Sequence, residues 1–216
     1  NNPTGTTLSR EDLAAIDAFG VPIIADEVFA RYPLDARADG MSSVLAGSLR
    51  TLCFALGGLS KTAALPQAKL AWLAVAGPDD EVTGALERLE VLGDAFLSVS
   101  TQVKLALPTL LGQAKVVQAE IGERCRRNLA ALRDKTRGTA ISVARTGGGW
   151  SACVRVPATR TDEEWAIALI DAGVRVFPGY LFDFPERQAW LVLSLLVSPA
   201  DFTLGADRLV ARVVAG

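Results

Sequence analysis

Three apolar runs stand out early in the chain: VPIIADE at 21–27, TLCFAL at 51–56 and AKLAWLAVAG at 68–77. They are short and continuous, without polar alternation, which is the pattern of strands buried on both faces of a parallel sheet. Around them the period becomes helical. Residues 7–19 open with Thr7 or Ser9 as a cap, carry Glu11 and Asp12 in the first turn, and set Leu13, Ile16 and Phe19 on one face before Gly20 stops the helix. Segments 79–92 and 95–111 also have helical texture, with Pro108 kinking or dividing the second. A longer amphipathic segment spans 114–135, where Val117, Ile121, Cys125, Leu129 and Leu132 recur at three- to four-residue spacing. Beyond Gly138 the runs TAISVAR, GGGWSACVRVP, GVRVFPG and WLVLSLLV are interleaved with helices over about 162–172 and from Pro199, a small α+β layer. The pattern predicts an α/β chain with a first domain over 1–112, an interdomain helix over 113–136 and a small C-terminal domain over 137–216.

Composition narrows the chemistry. Half of the 216 residues are apolar and 21% are charged, enough for a well-packed core. The 22 basic and 24 acidic residues are dispersed, for a net charge of −2, so no footprint for nucleic acid or anionic lipid is expected. Arg124, Arg126 and Arg127 read as the solvated side of a helix. No apolar run reaches the roughly 18 residues of a membrane span. Histidine is absent, which removes Ser-His-Asp triads, Cys-His dyads and histidine metal sites, so no metal is expected. Acid–base work falls to Lys, Asp, Glu, Tyr or Cys. Cys53, Cys125 and Cys153 show no CxxC spacing and read as buried thiols of a reducing cytoplasm. The opening NNPTG has neither an initiator Met nor a charged leader.

The lysines are few. Lys61 and Lys69 lie in LSKTAALPQAKLAW (59–72), and only Lys104, Lys115 and Lys135 occur elsewhere. Asp26 falls just past the end of the first apolar run and Lys61 just past the second, and in parallel sheets ligands lie beyond the carboxyl ends of the strands. A carboxylate and an amine 35 residues apart can therefore face one crevice. Singly, each signal has a bland reading: Asn2-Pro3-Thr4-Gly5 as a turn, Asp26-Glu27 as a cap or exposed acid pair, Lys61 as a snorkelling cation. Together, an amide, a strand-end carboxylate and a lysine flanked by Ser60 suit a planar cofactor with an aldehyde, a ring nitrogen and a phosphate. Pyridoxal 5'-phosphate needs that set.

The series NNPTG, ADEVF, GGLSKTAALPQAKLAW, GGGW and VFPGYLF resembles the class I/II aminotransferases, fold type I pyridoxal-phosphate enzymes, over essentially the whole chain. The resemblance implies the C-terminal part of that fold's mostly parallel large-domain sheet, followed by a small α+β domain. It implies that Lys61 forms the Schiff base and shuttles the proton, that Asp26 pairs with the ring nitrogen, that Asn2 bonds the phenolic oxygen, and that Ser60 and Lys69 hold the phosphate. Tyr180 and Arg187 fall to the substrate side.

Three positions depart from the pattern. Phe29 stands where the family commonly has tyrosine, and Lys69 where it usually has arginine. Val192 replaces the arginine that usually clamps the substrate carboxylate, so either another group such as Arg187 or Arg175 takes that task, or the substrate lacks an ordinary α-carboxylate, or the protein has drifted from transamination. The resemblance begins midway along the family's chain, so a fragment is expected, without the glycine-rich phosphate helix and the ring-stacking aromatic. The function implied is amino transfer between an amino acid and a 2-oxo acid by a cytoplasmic homodimer. The alternatives are another fold type I reaction, a lyase or decarboxylase, or a non-catalytic effector-binding domain of a transcription regulator.

Overall fold

The computed structural model describes residues 1–35, 41, 43–47, 49–185 and 187–216. The chain divides into two compact units, one of Thr7–Arg31 with Arg37–Ala119, the other of Asn1–Thr6, Tyr32–Ala36 and Glu120–Gly216.

The first unit is built on a three-stranded sheet of order β1-β2-β3, with β1 at Ile23–Asp26, β2 at Cys53–Gly58 and β3 at Ala71–Ala76. β1 and β2 run parallel, with Ile23 beside Cys53 and Asp26 beside Leu56. The third run, read with the other two as a strand of a mostly parallel sheet, takes the opposite direction: β3 is antiparallel to β2, pairing Gly58 with Ala71 and Cys53 with Ala76. The reason lies in the link. Residues 59–70 hold only the single-turn helix α2 (Leu59–Thr62) and a 3-10 turn at Pro66–Ala68, and the Leu59 N–H donates to the Leu70 carbonyl at 2.9 Å. The chain thus re-enters the sheet beside the end it left, whereas a parallel neighbour needs a crossover as long as the strand.

One face of this sheet is packed. Cys53 and Ala55 are buried with Leu13 and Val44, and Ile23 and Ala25 pack against them. The opposite face, carrying Ile24, Asp26, Phe54, Leu56 and Leu73 by register, leaves Ile24 73% exposed. The helix α1 (Arg10–Asp17) and the 3-10 turn Val44–Ala46 supply the apolar partners of the packed side.

Helix α1 is started by a reciprocal capping box between Ser9 and Asp12 and ends before Phe19, which is 78% exposed instead of lying on the apolar face. Its last residue, Asp17, is buried and ties the helix to the start of β2. The carboxylate accepts from the Thr51 hydroxyl (2.6 Å) and from the backbone N–H groups of Thr51 (3.1 Å) and Arg50 (3.1 Å). The Thr51 hydroxyl foremost, then the Arg50 N–H, hold this carboxyl below the usual aspartate range. A depressed pKa contributes stability that is present above the ordinary value and lost as pH falls through the lowered one. Urea midpoints measured across that acid window should therefore decline in the wild type. In Asp17→Asn the midpoint should be lower at neutral pH and this part of the acid slope should be missing; an identical slope would deny Asp17 the role.

After α3 (Asp79–Asp94) a single helix, α4 (Thr101–Thr136), runs through Pro108 without dividing, joining the two helical segments expected at 95–111 and 114–135. Its first part packs on the β2–β3 link, with Ala114 buried among Leu59, Ala63 and Leu70. Among the described residues no helix is long and apolar enough to cross a membrane.

In the second unit β4 (Ser142–Val143), β5 (Ser151–Val156), β6 (Phe177–Pro178) and β7 (Ala189–Ser194) form an antiparallel sheet of order β4-β5-β7-β6. Cys125, Leu129 and Leu132 of α4, Trp165 and Leu169 of α5 (Asp162–Asp171), and Phe202 and Leu209 of α6 (Pro199–Val214) bury one face of it over Val154, Leu191 and Leu193. Asn128, buried on α4, donates to the carbonyls of Leu195 (2.9 Å) and Val197 (2.8 Å), satisfying the backbone as it leaves β7.

Candidate active site

Asp26 is the last residue of β1, and its neighbour Leu56 lies two residues before the end of β2, from which α2 carries Ser60 and Lys61. The carboxylate and the amine thus leave the same end of two adjacent parallel strands. The acid pair divides its work. Glu27 Oε1 accepts from the Val44 N–H at 2.6 Å, at the start of the 3-10 turn Val44–Ala46, and the Glu27 N–H donates to the Leu56 carbonyl at 3.0 Å. Asp26 stays exposed, with Oδ1 accepting from the Val28 N–H at 3.0 Å. Lys61 is half-buried, its Nζ 5.5 Å from the centroid of the Phe29 ring.

Lys69 is exposed and left-handed (φ 51°, ψ 42°), immediately before Leu70, whose carbonyl closes the link onto Leu59. Both lysines therefore stem from one closed loop. The Gln118 amide of α4 donates to the Thr62 carbonyl at 2.7 Å and holds the end of α2. Gly57, the first of the two glycines before LSK, has a packing reason. Trp72, opposite Gly57 on β3, lies so close that a Cβ on Gly57 would meet its indole Cε2 at 2.6 Å.

The remaining predicted residues belong to the second unit. Asn2 is exposed in a turn closed by the Gly5 N–H donating to the Asn1 carbonyl at 2.9 Å. Gly5 sits at φ +70°, and a Cβ there would press on the Gly148 carbonyl and on Thr146 Cγ2, so the turn needs glycine on two counts. The buried Cys153 thiol donates to the Pro3 carbonyl at 3.5 Å. Val192 is 2% exposed, paired with Cys153 on one side and Phe177 on the other. Tyr180, on the 3-10 turn Gly179–Phe182, is 47% exposed, so it is not a core tyrosine; its N–H donates to Asp162 Oδ2 at 2.7 Å. Arg187 and Arg175 are both exposed. Burial pushes the Cys125 and Cys153 thiols up to about 11, which keeps both as inert thiols at neutral pH.

The profile of aminotransferase class I and II matches residues 1–209. The chain belongs to the class I and II aminotransferases. Glutamate-pyruvate aminotransferase AlaA of Escherichia coli (strain K12) is 32% identical over 116 residues, which are 52% of this chain and 28% of that protein. AlaA of Haemophilus influenzae is 30% identical over the same shares. Among solved structures, an aminotransferase from Mycobacterium tuberculosis superposes with a TM-score of 0.82 at 24% identity, covering 100% of this chain and 56% of that one. Alanine aminotransferase from Pyrococcus furiosus gives 0.81 at 18% identity, covering 100% and 56%. At these identities the structures establish the aminotransferase fold, here its C-terminal part. The aminotransferase chain spans about half the length of those structures, and its match covers just over a quarter of the curated relatives.

Sequence order set Asn2, Asp26 and Lys61 with its neighbour Ser60 at one sheet edge; the structure carries Asp26, Ser60 and Lys61 at one end of one sheet, with Lys69, named only by the resemblance, on the same link, and Asn2 in the other unit. Glu27 and Gln118, which support that end, were not foreseen. Glu27 bonds a backbone group 17 residues away and Gln118 one 56 residues away, and no local pattern announces either.

Proposed function

We propose that the protein is a pyridoxal-phosphate-dependent aminotransferase that moves an amino group between an amino acid and a 2-oxo acid, working as a homodimer in the cytoplasm. The observation that carries this reading is the placement of Asp26 and Lys61 at the carboxyl ends of adjacent parallel strands in a chain of the aminotransferase family. The donor set fits the cofactor. Asp26 offers an exposed carboxylate for a protonated ring nitrogen, Lys61 an amine for an aldehyde, and Ser60 and Lys69 a hydroxyl and a cation on one loop for a phosphate. Asn2 supplies an amide for the phenolic oxygen.

Pyridoxal phosphate, when bound, supplies an electron sink for the bond broken at the substrate Cα. The protein's own residues supply the rest. Asp26 keeps a proton on the ring nitrogen by pairing with it. Lys61 Nζ is the amine that would hold the aldehyde and, as a free amine, would be the base and acid placed to move the proton. Lys69 neutralises phosphate as a point charge, without the bidentate fork of arginine. Tyr180 and Arg187 are assigned to the substrate side, with Arg187 or Arg175 taking the carboxylate.

Glutamate and pyruvate, after which the AlaA relatives are named, are the first pair to try. Full-length protein loaded with pyridoxal phosphate and given glutamate labelled at nitrogen together with pyruvate should pass the label to alanine; other donors are tested in turn. Release of ammonia or carbon dioxide in place of a 2-oxo acid, or no transfer from any donor, would overturn the proposal.

A further inference from the structure

We propose that Phe29 is a positioning residue for Lys61, its ring face holding the ε-ammonium whenever that amine is not joined to an aldehyde. The separation of 5.5 Å from Nζ to the ring centroid lies within the roughly 6 Å over which a cation is drawn to the negative face of an aromatic ring. Both side chains are half-buried, so solvent screens the attraction less than at an open surface.

Backbone hydrogen bonds anchor both ends of the contact. Next to Phe29, the Glu27 N–H donates to the Leu56 carbonyl and the Ala30 N–H to the Glu27 carbonyl, each at 3.0 Å. Next to Lys61, the Ala63 N–H donates to the Leu59 carbonyl at 3.1 Å, and Gln118 donates to the Thr62 carbonyl at 2.7 Å. The ring comes from the segment after β1 and the amine from the helix after β2, so the contact ties together the two strand ends that bear Asp26 and Lys61. An ammonium has no lone pair to offer a carbonyl carbon. To capture an aldehyde, the Lys61 amine leaves the ring face, and the contact opposes that departure. Phe29 thereby fixes where the amine rests and how readily it is captured.

The role of the amine rests on the aminotransferase reading, but the contact is tested without cofactor or turnover. Full-length protein stripped of pyridoxal phosphate is labelled with trinitrobenzenesulfonate at one pH, and the rates at Lys61 and Lys69 are read by peptide mass mapping. Pentafluorophenylalanine at position 29 keeps the shape of the ring and reverses its quadrupole. It and Phe29→Leu should label Lys61 about two- to fivefold faster than the wild type. Phe29→Tyr, which keeps the ring face, should label at the wild-type rate, and Lys69 should not change in any variant. Equal Lys61 rates for the fluorinated and native rings would overturn the inference, as would a joint rise at Lys61 and Lys69, which reports a loosened loop. If the aminotransferase reading is the one that fails, nitrogen transfer is absent while the labelling pattern stands.

Discussion

Lys61→Ala is expected to lower amino transfer by at least about a thousandfold, because on the proposed function it removes at once the covalent anchor of the cofactor and the group that carries the proton. The loss should be chemical and not structural. Lys61 is half-buried on a single-turn helix whose packing comes from its neighbours Leu59 and Ala63, so the thermal midpoint should stay within about a degree or two of wild type. Lys69→Ala separates anchoring from charge. Lys69 is exposed, and as a phosphate partner its removal costs one charge-assisted contact, which weakens cofactor binding by about tenfold and leaves turnover at saturating cofactor nearly intact. Steady-state rates and retention of reduced cofactor on the Lys61 peptide after borohydride measure the two effects. Activity within tenfold of wild type in Lys61→Ala would remove Lys61 from the centre of the mechanism.

The sequence pattern located this lysine because its context is local: an apolar run, two glycines, a serine and a lysine. The parallel pairing of β1 with β2 was legible for a similar reason, since the apolar runs are separated by a connection long enough for a crossover. The direction of β3 was not. It depends on the Leu59–Leu70 hydrogen bond that folds a loop back on itself, and an apolar run carries no sign of strand direction. Pro108 shows a second limit, since the part of α4 around it packs through Leu107, Leu110 and Ala114 on Leu59, Ala63 and Leu70 and runs through a residue that intrinsic propensity would use as a break.

Val192→Arg restores the residue that the family resemblance leads one to expect, and it should destabilise this chain by about 3–5 kcal/mol. Val192 lies inside the antiparallel pairing, with Cys153 on one neighbouring strand and Phe177 on the other. It is fully enclosed, on the face of β7 away from the Leu191 and Leu193 side chains that meet the helices. Around it the buried Cys153 thiol is already engaged with the Pro3 carbonyl, so a guanidinium introduced there meets a site packed for a small apolar group. Either the charge stays buried at a cost, or the longer side chain forces Phe177 and the Pro3 turn apart. Urea unfolding should show the loss directly. The exposed Arg187 gives the opposite result if it has taken over the carboxylate: Arg187→Ala should leave the urea midpoint unchanged and raise the KM for the amino acid by about tenfold or more. A Val192→Arg protein as stable as wild type, with a lowered KM, would mean that this position still opens onto the substrate, and the assignment of the carboxylate to Arg187 or Arg175 would fall with it.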